Sequence, residues 1–586
     1  MKNFFKIVLG SFVGTILALL IGLFLIFGIA GSILSLSESA PAVPKSAILS
    51  LNFSDPIGER SNDDPFTSIS YSNLSDLKSI GLYSLINAID AAAEDNSIKF
   101  IYMNLTDYKS GITHAEEVVA ALKRFHKSGK AIVAYADNYT QLSYYIATTA
   151  DKIYLNPTGM LPLSGVGITS LFFKELLDRF GVEVELVRHG KFKAAAEQLL
   201  FNKMSEENRE QLQAYVNTVW HTWATQISSS RRVDLERIDF LTDNLLIGTA
   251  SDALEEGLVD ELLYKDEVLE KLLSLFGVEK EKDLKMVPMV NYIKSVNRPN
   301  IKEKKKVAIL YAQGDIVMGR SNNNIASDTY IEQISRIRKD STIKAVVLRV
   351  NSPGGSAQSA DAIERELELL GKEKPVIVSM GDYAASGGYW IAAKGDKIYS
   401  NSTTLTGSIG VFSMIPNLQK SLKSQLHLTP QSVNSHKNSD FLSLYRALSN
   451  EERRWLQLTV EKIYDQFIEL VAQGRGLSRQ EVDRVAQGRV WSGEDAFGIQ
   501  LVDEIGGLYN AIEGAASIAE IKSYRIVEYP IQKSGIEMVM EMLGMAKKSV
   551  QALSHPFETL NKEYSDMLSN QKALMMARVP FNLLLD

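Results

Sequence analysis

The chain is written twice. "IKFIYMNL" at 98–105 returns as "IKAVVLRV" at 343–350, an offset of 245 residues, and at the same offset "YYIATTADKIYLN" (144–156) returns as "YWIAAKGDKIYSN" (389–401). Glu206-Glu207 answers Glu451-Glu452 at that spacing, and "GLVDEL" (257–262) answers "QLVDEI" (500–505) after a two-residue slip. "AILSLNFSDPI" (47–57) likewise resembles "AILYAQGDIVM" (308–318). A period this long means one fold serves both halves and each half buries its own core. The first repeat is expected over 46–274 and the second over 307–530. The Lys- and Glu-rich stretch 275–306 is expected as the linker, and 531–586 as a helical tail with a Met-rich face at 537–573.

Inside each half, β-branched runs alternate with helical patterns. In the second half the runs are 307–311, 344–350 and 375–380, and the helical stretches are 358–371 and 387–394. That alternation predicts an α/β fold with a mainly parallel sheet. Residues 203–226 and 448–474 predict long amphipathic helices, each opened by Ser or Asn before paired Glu.

Composition removes several functions. A net charge of −7 over 586 residues leaves no nucleic-acid footprint, and the absence of cysteine removes disulfides, thiolate zinc sites and Cys nucleophiles. The seven histidines form no HExxH and no metal-ligand spacing. Residues 7–30 carry no charge and are long enough to cross a bilayer as one helix, so 1–30 is expected as an N-terminal membrane anchor. The stretch "SLSESA" keeps a cleaved signal as the alternative. Lys2 and Lys6 precede the span and no Lys or Arg follows until Lys45, which orients the bulk of the chain away from the cytoplasm.

The informative positions are those where the copies differ. At the 245-residue offset Ser386, in "GDYAASGGYW" (381–390), faces Gln141, and "NSPGGSA" (351–357) faces "TDYKSGI" (106–112), which has no Gly pair. A turn needed only for the fold would be kept in both halves. Ser386 follows an apolar run and precedes a helical pattern, as a nucleophile on a strand-to-helix elbow does. Gly387 N–H at a helix start and a backbone N–H from Gly354-Gly355 can serve as oxyanion donors, each worth about 2.7–4 kcal/mol. A tight helix-packing turn is the other reading. The base stays open at this point. His189 and His436 are candidates, and "RHGKFKAAAEQ" (188–198) offers Lys191 and Lys193, either of which burial can lower in pKa until the amine is neutral and able to accept a proton.

Together, the duplicated halves, "NSPGGS", "GDYAASGGYWIA", "TLTGSIGVF" and "GKFKAAAE" resemble the signal peptide peptidase A family in its long two-repeat form. The resemblance implies a membrane-anchored serine protease with a Ser/Lys dyad on two Clp-protease/crotonase-like repeats. By position it assigns Ser386 as nucleophile, Lys193 as general base and Ser408 as the group that orients the lysine, with Gly354, Gly355 and Gly387 in the oxyanion region. It implies remnant signal peptides and other hydrophobic peptides as substrates, a homotetramer, and no metal, nucleotide or organic cofactor. It places the chain in a bacterial inner membrane with its catalytic part on the periplasmic side. Gln198 departs from the family, which often has proline there. Two rivals are a crotonase-like acyl-CoA enzyme, which would need no serine nucleophile, and an inactive membrane scaffold.

Overall fold

The structure, a computed structural model, describes residues 10, 14–16, 43–297 (without 54, 62–78 and 107), 302–531 and 576–578. The span expected at 7–30 and the Met-rich stretch 537–573 therefore lie almost wholly outside the described residues. Among the described residues no helix is long and apolar enough to cross a membrane.

Each repeat builds its own parallel sheet. The first has six strands in the order Glu261–Leu262, Lys152–Leu155, Ile132–Ala136, Ile98–Asn104, Ala47–Asn52 and Met286–Pro288, all parallel. The second is centred on Lys306–Gln313, Ile343–Ser352 and Val376–Ala385, also parallel, with Lys397–Ser400 and Leu405–Gly407 both pairing the last of these. Helices cover the sheets, as parallel strands buried on both faces require. The long helices run over Glu206–Arg231 and Asn450–Arg475, and Ser205 and Ser449 cap them by accepting hydrogen bonds from the N–H groups of Asn208 and Glu452. The expected α/β class with mainly parallel sheets is what forms.

The expected boundaries differ from the structure in two places. The linker stretch 275–306 is not all connector: Met286–Pro288 adds to the first sheet beside Ala47–Asn52, and helix Met289–Val296 follows it with Met289 and Tyr292 buried. The strand expected to end at Met380 continues to Ala385, because Tyr383–Ala385 finds a new partner in Leu405–Gly407.

A third sheet crosses the repeats. Its order is Ile325–Ala326, Ile316–Val317, Gly354–Ser356, Met576–Arg578, Val411–Asn417 and Glu183–His189. The last strand belongs to the first repeat and pairs antiparallel with Val411–Asn417 of the second, from Val411 opposite His189 to Asn417 opposite Glu183. This joint carries the site.

Candidate active site

Ser386 sits on a strained turn. Its φ of 57° and ψ of −118° lie outside the ordinary regions for a side chain-bearing residue, a conformation that costs about 1–3 kcal/mol. The surroundings hold it there. The strand before it is paired up to Ala385, the Ser386 N–H donates to Gly407 O (2.8 Å), and Trp390 N–H donates to Ser386 O (2.9 Å) to open helix Gly387–Ala392. The small residues after it have a geometric cause: a Cβ on Gly388 would lie 2.6 Å from the Ser352 carbonyl oxygen. Any larger residue would push the helix off the neighbouring strand.

The lysine comes from the other repeat. Beyond His189 the chain turns at Gly190 (φ 103°), and Phe192 N–H donates to Gln487 O at 3.0 Å, which docks the loop on the second repeat. Gly488 makes room for it, since a Cβ there would be 2.6 Å from the Lys193 Cβ. Lys193 is thereby 1% exposed, with its Nζ donating to Ser386 Oγ (2.7 Å), Ser408 Oγ (3.0 Å) and Ser408 O (3.0 Å). Those three acceptors take all three protons of an ammonium; the neutral amine can instead accept the serine proton. Among the described residues no carboxylate is one of its hydrogen-bond partners, and burial pushes its pKa well below that of an ordinary lysine. Ser408 is itself held at φ 50°, with its N–H donating to Arg489 O at 2.7 Å.

The remaining candidates separate cleanly. Lys191 is exposed with its Nζ 5.0 Å from the centre of the Phe192 ring. His189 stacks on Tyr464 and His436 contacts Ser435 on an exposed segment; neither is a hydrogen-bond partner of Ser386. Gly387 is the first residue of its helix, so its N–H has no acceptor within the helix. Gly354 N–H donates to Ser352 Oγ at 3.1 Å, and Gly355 has φ 154° and lies so close to Ile316 O that a Cβ would be 2.1 Å away. The strand Gly354–Ser356 and the strand Val411–Asn417 flank a slot beside the serine, and Met576–Arg578 lies in it, antiparallel to both.

Sequence reasoning gave no role to Ser352, although it lies inside the "NSPGGS" motif, and missed Gln487 and Gly488, which belong to none of the motifs and shape the site from a distant part of the chain. It also missed Arg349, whose signal was present: a lone arginine inside the apolar run "AVVLRV" (345–350). Arg349 is buried and pairs with two carboxylates of the first repeat, Glu59 (2.8 Å) and Glu117 (2.8 Å), while also donating to Ser379 Oγ and Met380 O. Burial alone would raise the Glu59 carboxyl. The Arg349 guanidinium and His114 outweigh that and hold it well below the usual range. Removing one partner of such a buried set costs about 3–5 kcal/mol, so the network locks the two repeats in the alignment that brings Lys193 to Ser386.

A strained serine on a strand-to-helix elbow, touching a buried lysine on paired α/β repeats, has the layout of a serine hydrolase with an amine where others use imidazole. The comparisons with known proteins agree: the chain matches the model of peptidase family S49 over residues 124–279 and 368–522, and that of Clp protease over 300–406. It is 34% identical to Protease 4 of Haemophilus influenzae over 515 residues (83% of this chain, 82% of that one) and 34% identical to Protease 4 of Salmonella typhi over 496 residues (81% and 79%). It is 31% identical to a chloroplastic serine protease SPPA of Arabidopsis thaliana over 467 residues (77% and 68%). The chain belongs to peptidase family S49 and is a serine protease.

Proposed function

We propose that the protein is a membrane-anchored endopeptidase that degrades remnant signal peptides and other hydrophobic peptides, with Ser386 as nucleophile, Lys193 as general base and Ser408 as the residue that orients it. The observation that carries this is the buried contact of 2.7 Å between Lys193 Nζ and Ser386 Oγ, with Ser408 Oγ at 3.0 Å from the same nitrogen. Neutral Lys193 removes the hydroxyl proton as Ser386 Oγ attacks the peptide carbonyl carbon. The resulting oxyanion is stabilised by Gly387 N–H and a backbone N–H of the Gly354-Gly355 pair. The lysine then gives its proton to the leaving amine, and later takes one from the water that releases the acyl group.

An extended substrate is supported by the slot between Gly354–Ser356 and Val411–Asn417, which takes an antiparallel strand. The uncharged span at 7–30 supports the anchor, and with it a bacterial inner-membrane setting with the catalytic part on the periplasmic side. We extend the reading to self-association as a homotetramer. A hydrophobic fluorogenic peptide and a fluorophosphonate probe, applied to the detergent-solubilised full chain, test the chemistry. Turnover and labelling are expected in the wild type and neither in Ser386→Ala; equal labelling of both removes the nucleophile assignment.

A further inference from the structure

One helix of the first repeat grips both segments that meet at Ser386. Helix Ile112–His126 opens on Gly111, which has no side chain to cap it. The cap comes from the second repeat: Asp382, on the strand that leads to Ser386, accepts from Thr113 N–H (3.0 Å) and Thr113 Oγ1 (2.9 Å). A Cβ at Gly111 would lie 2.1 Å from the Asp382 carboxylate, so this close contact needs a glycine there. About one turn further along, Glu116 reaches the second segment. Its carboxylate accepts from Ser402 N–H (3.1 Å), Thr403 N–H (3.1 Å) and the Thr403 hydroxyl.

The segment that Glu116 holds runs straight into the site. Thr404 Oγ1 donates to Gly381 O (2.9 Å) and Thr406 Oγ1 to Ala384 O (2.7 Å), while Leu405–Gly407 pairs with Tyr383–Ala385. Gly407 O then receives the Ser386 N–H, and Ser408 supplies two of the three acceptors on Lys193 Nζ. A slip of 402–403 would move all of these together. The twin contact is not made. At the offset of 245, Glu116 becomes Asp361, which is exposed, and Ser402 becomes Pro157, which has no N–H to give. Thr158, the twin of Thr403, bonds to Asn156 of its own repeat instead. Like the Gly-rich turns, the contact stands only beside the serine.

On the reading that Ser386, Lys193 and Ser408 carry the reaction, we infer that Glu116 is a positioning residue for them, its carboxylate fixing 402–408 against the strand that ends at Ser386. It acts through that segment and not on the substrate. The ionisable groups around it are Glu117 on its own helix, Tyr145 of helix Gln141–Ala147 and Tyr215 of helix Glu206–Arg231, whose hydroxyl donates to Thr403 O (2.9 Å). Of the second repeat's charges, Asp382 is bonded to Thr113 and Arg349 to Glu117. Burial, with the Glu117 charge adding to it, outweighs the three donors and raises the Glu116 carboxyl to about 7. Above that pH the carboxylate holds the segment. Below it the acid's own O–H competes with the donors, and the hold weakens.

Glu116→Gln keeps the size and one carbonyl oxygen but sets an amide N–H against the Ser402 N–H. The full chain in detergent is titrated with a fluorophosphonate to count reactive Ser386, and turnover of a hydrophobic fluorogenic peptide is expressed per labelled site. Glu116→Gln should label to wild-type stoichiometry with KM unchanged and kcat per site lower by roughly tenfold. It should also lose a step that the wild-type pH profile shows near 7. Thr403→Val removes one donor from the opposite side and should lower kcat in the same direction by less, while Asp361→Asn should change nothing. Wild-type kcat per site in both Glu116→Gln and Thr403→Val overturns the inference and leaves the dyad standing. Activity that falls only as far as the site count falls overturns it too, since that is the mark of a contact that merely holds the fold. A wild type that does not label at Ser386 overturns the dyad reading, and the role of Glu116 with it.

Discussion

Gln141 and Ser386 occupy the same turn of the two repeats, and their side chains are used in opposite ways. Gln141 is tied to the backbone of its own repeat: its amide donates to Gly165 O (3.0 Å) and accepts from the N–H groups of Ser164 and Gly165 (3.0 Å each). The helix it opens is conventionally capped, with Thr140 at φ −80° accepting from Ser143 N–H. Ser386 has a strained backbone at φ 57° and its hydroxyl is bonded to a lysine that the other repeat supplies. The loss is reciprocal, for the offset that turns Ser386 into Gln141 turns Lys193 into Asn438. Duplication thus allowed each copy to relax one half of a shared site. Strain persists at the turn proposed to carry the chemistry, and ordinary hydrogen bonds stand in its place at the other.

The largest test of that contrast is to truncate both residues at the turn. Ser386→Ala should lower kcat by a factor on the order of 10⁵–10⁶, as losing a nucleophile does, with the fold intact. Gln141→Ala should leave kcat within a few-fold and instead cost about 0.5–1.5 kcal/mol of stability, read by denaturant unfolding, because the Ser164 and Gly165 amides exchange their acceptor for water. If Gln141→Ala abolishes turnover in a folded protein, the first repeat's turn is not merely structural.

Next comes the lysine. Lys193→Arg should fall by about 10²–10⁴ in kcat, close to Lys193→Ala, because a guanidinium keeps the charge but cannot accept the serine proton. Lys191→Arg should change little, since that side chain is in solvent. An active Lys193→Arg would reduce the residue to a structural cation.

Ser408→Ala removes one of the three groups on the Lys193 nitrogen and puts an apolar side chain there, as Leu163 does in the first repeat. A hydrogen bond of about 1.5–3 kcal/mol predicts a loss of roughly ten- to a hundredfold in kcat. A KM effect alone would assign Ser408 to substrate binding.

The smallest effect is a displacement along the pH axis. The wild-type kcat/KM should rise with pH as Lys193 loses its proton and level off above an apparent pKa well below that of an ordinary lysine, since burial disfavours the ammonium. Conversely, acid should switch the enzyme off reversibly. A limb centred near the pKa of a free lysine would mean that the amine is solvated in the working enzyme.

Much of this was legible before any coordinates. The period of 245 gave the two α/β halves, and the unequal Gly-rich turns singled out Ser386. The lysine was harder. Periodicity could not separate Lys191 from Lys193, because what buries one and exposes the other is the turn at Gly190 and the gap left by Gly488, 298 residues beyond it in the chain. The cross-repeat sheet was not legible either. Glu183–His189 reads "EVELVRH", an ordinary amphipathic strand with nothing to say that its partner lies in the other half. Elements between 275 and 306 were hidden by a charged composition that suits a linker as well as a surface helix.

Putting the serine and the lysine on one polypeptide has a consequence for how the enzyme behaves at low abundance. Were the two repeats separate chains, the proton-accepting pair would exist only as often as two molecules met, and specific activity would fall on dilution. With the repeats tethered, that encounter is intramolecular, and the local concentration of one for the other is in the millimolar range typical of linked modules. On the proposed dyad, each molecule therefore carries both halves of the reaction centre even at one copy per cell, and kcat per chain should stay constant on dilution.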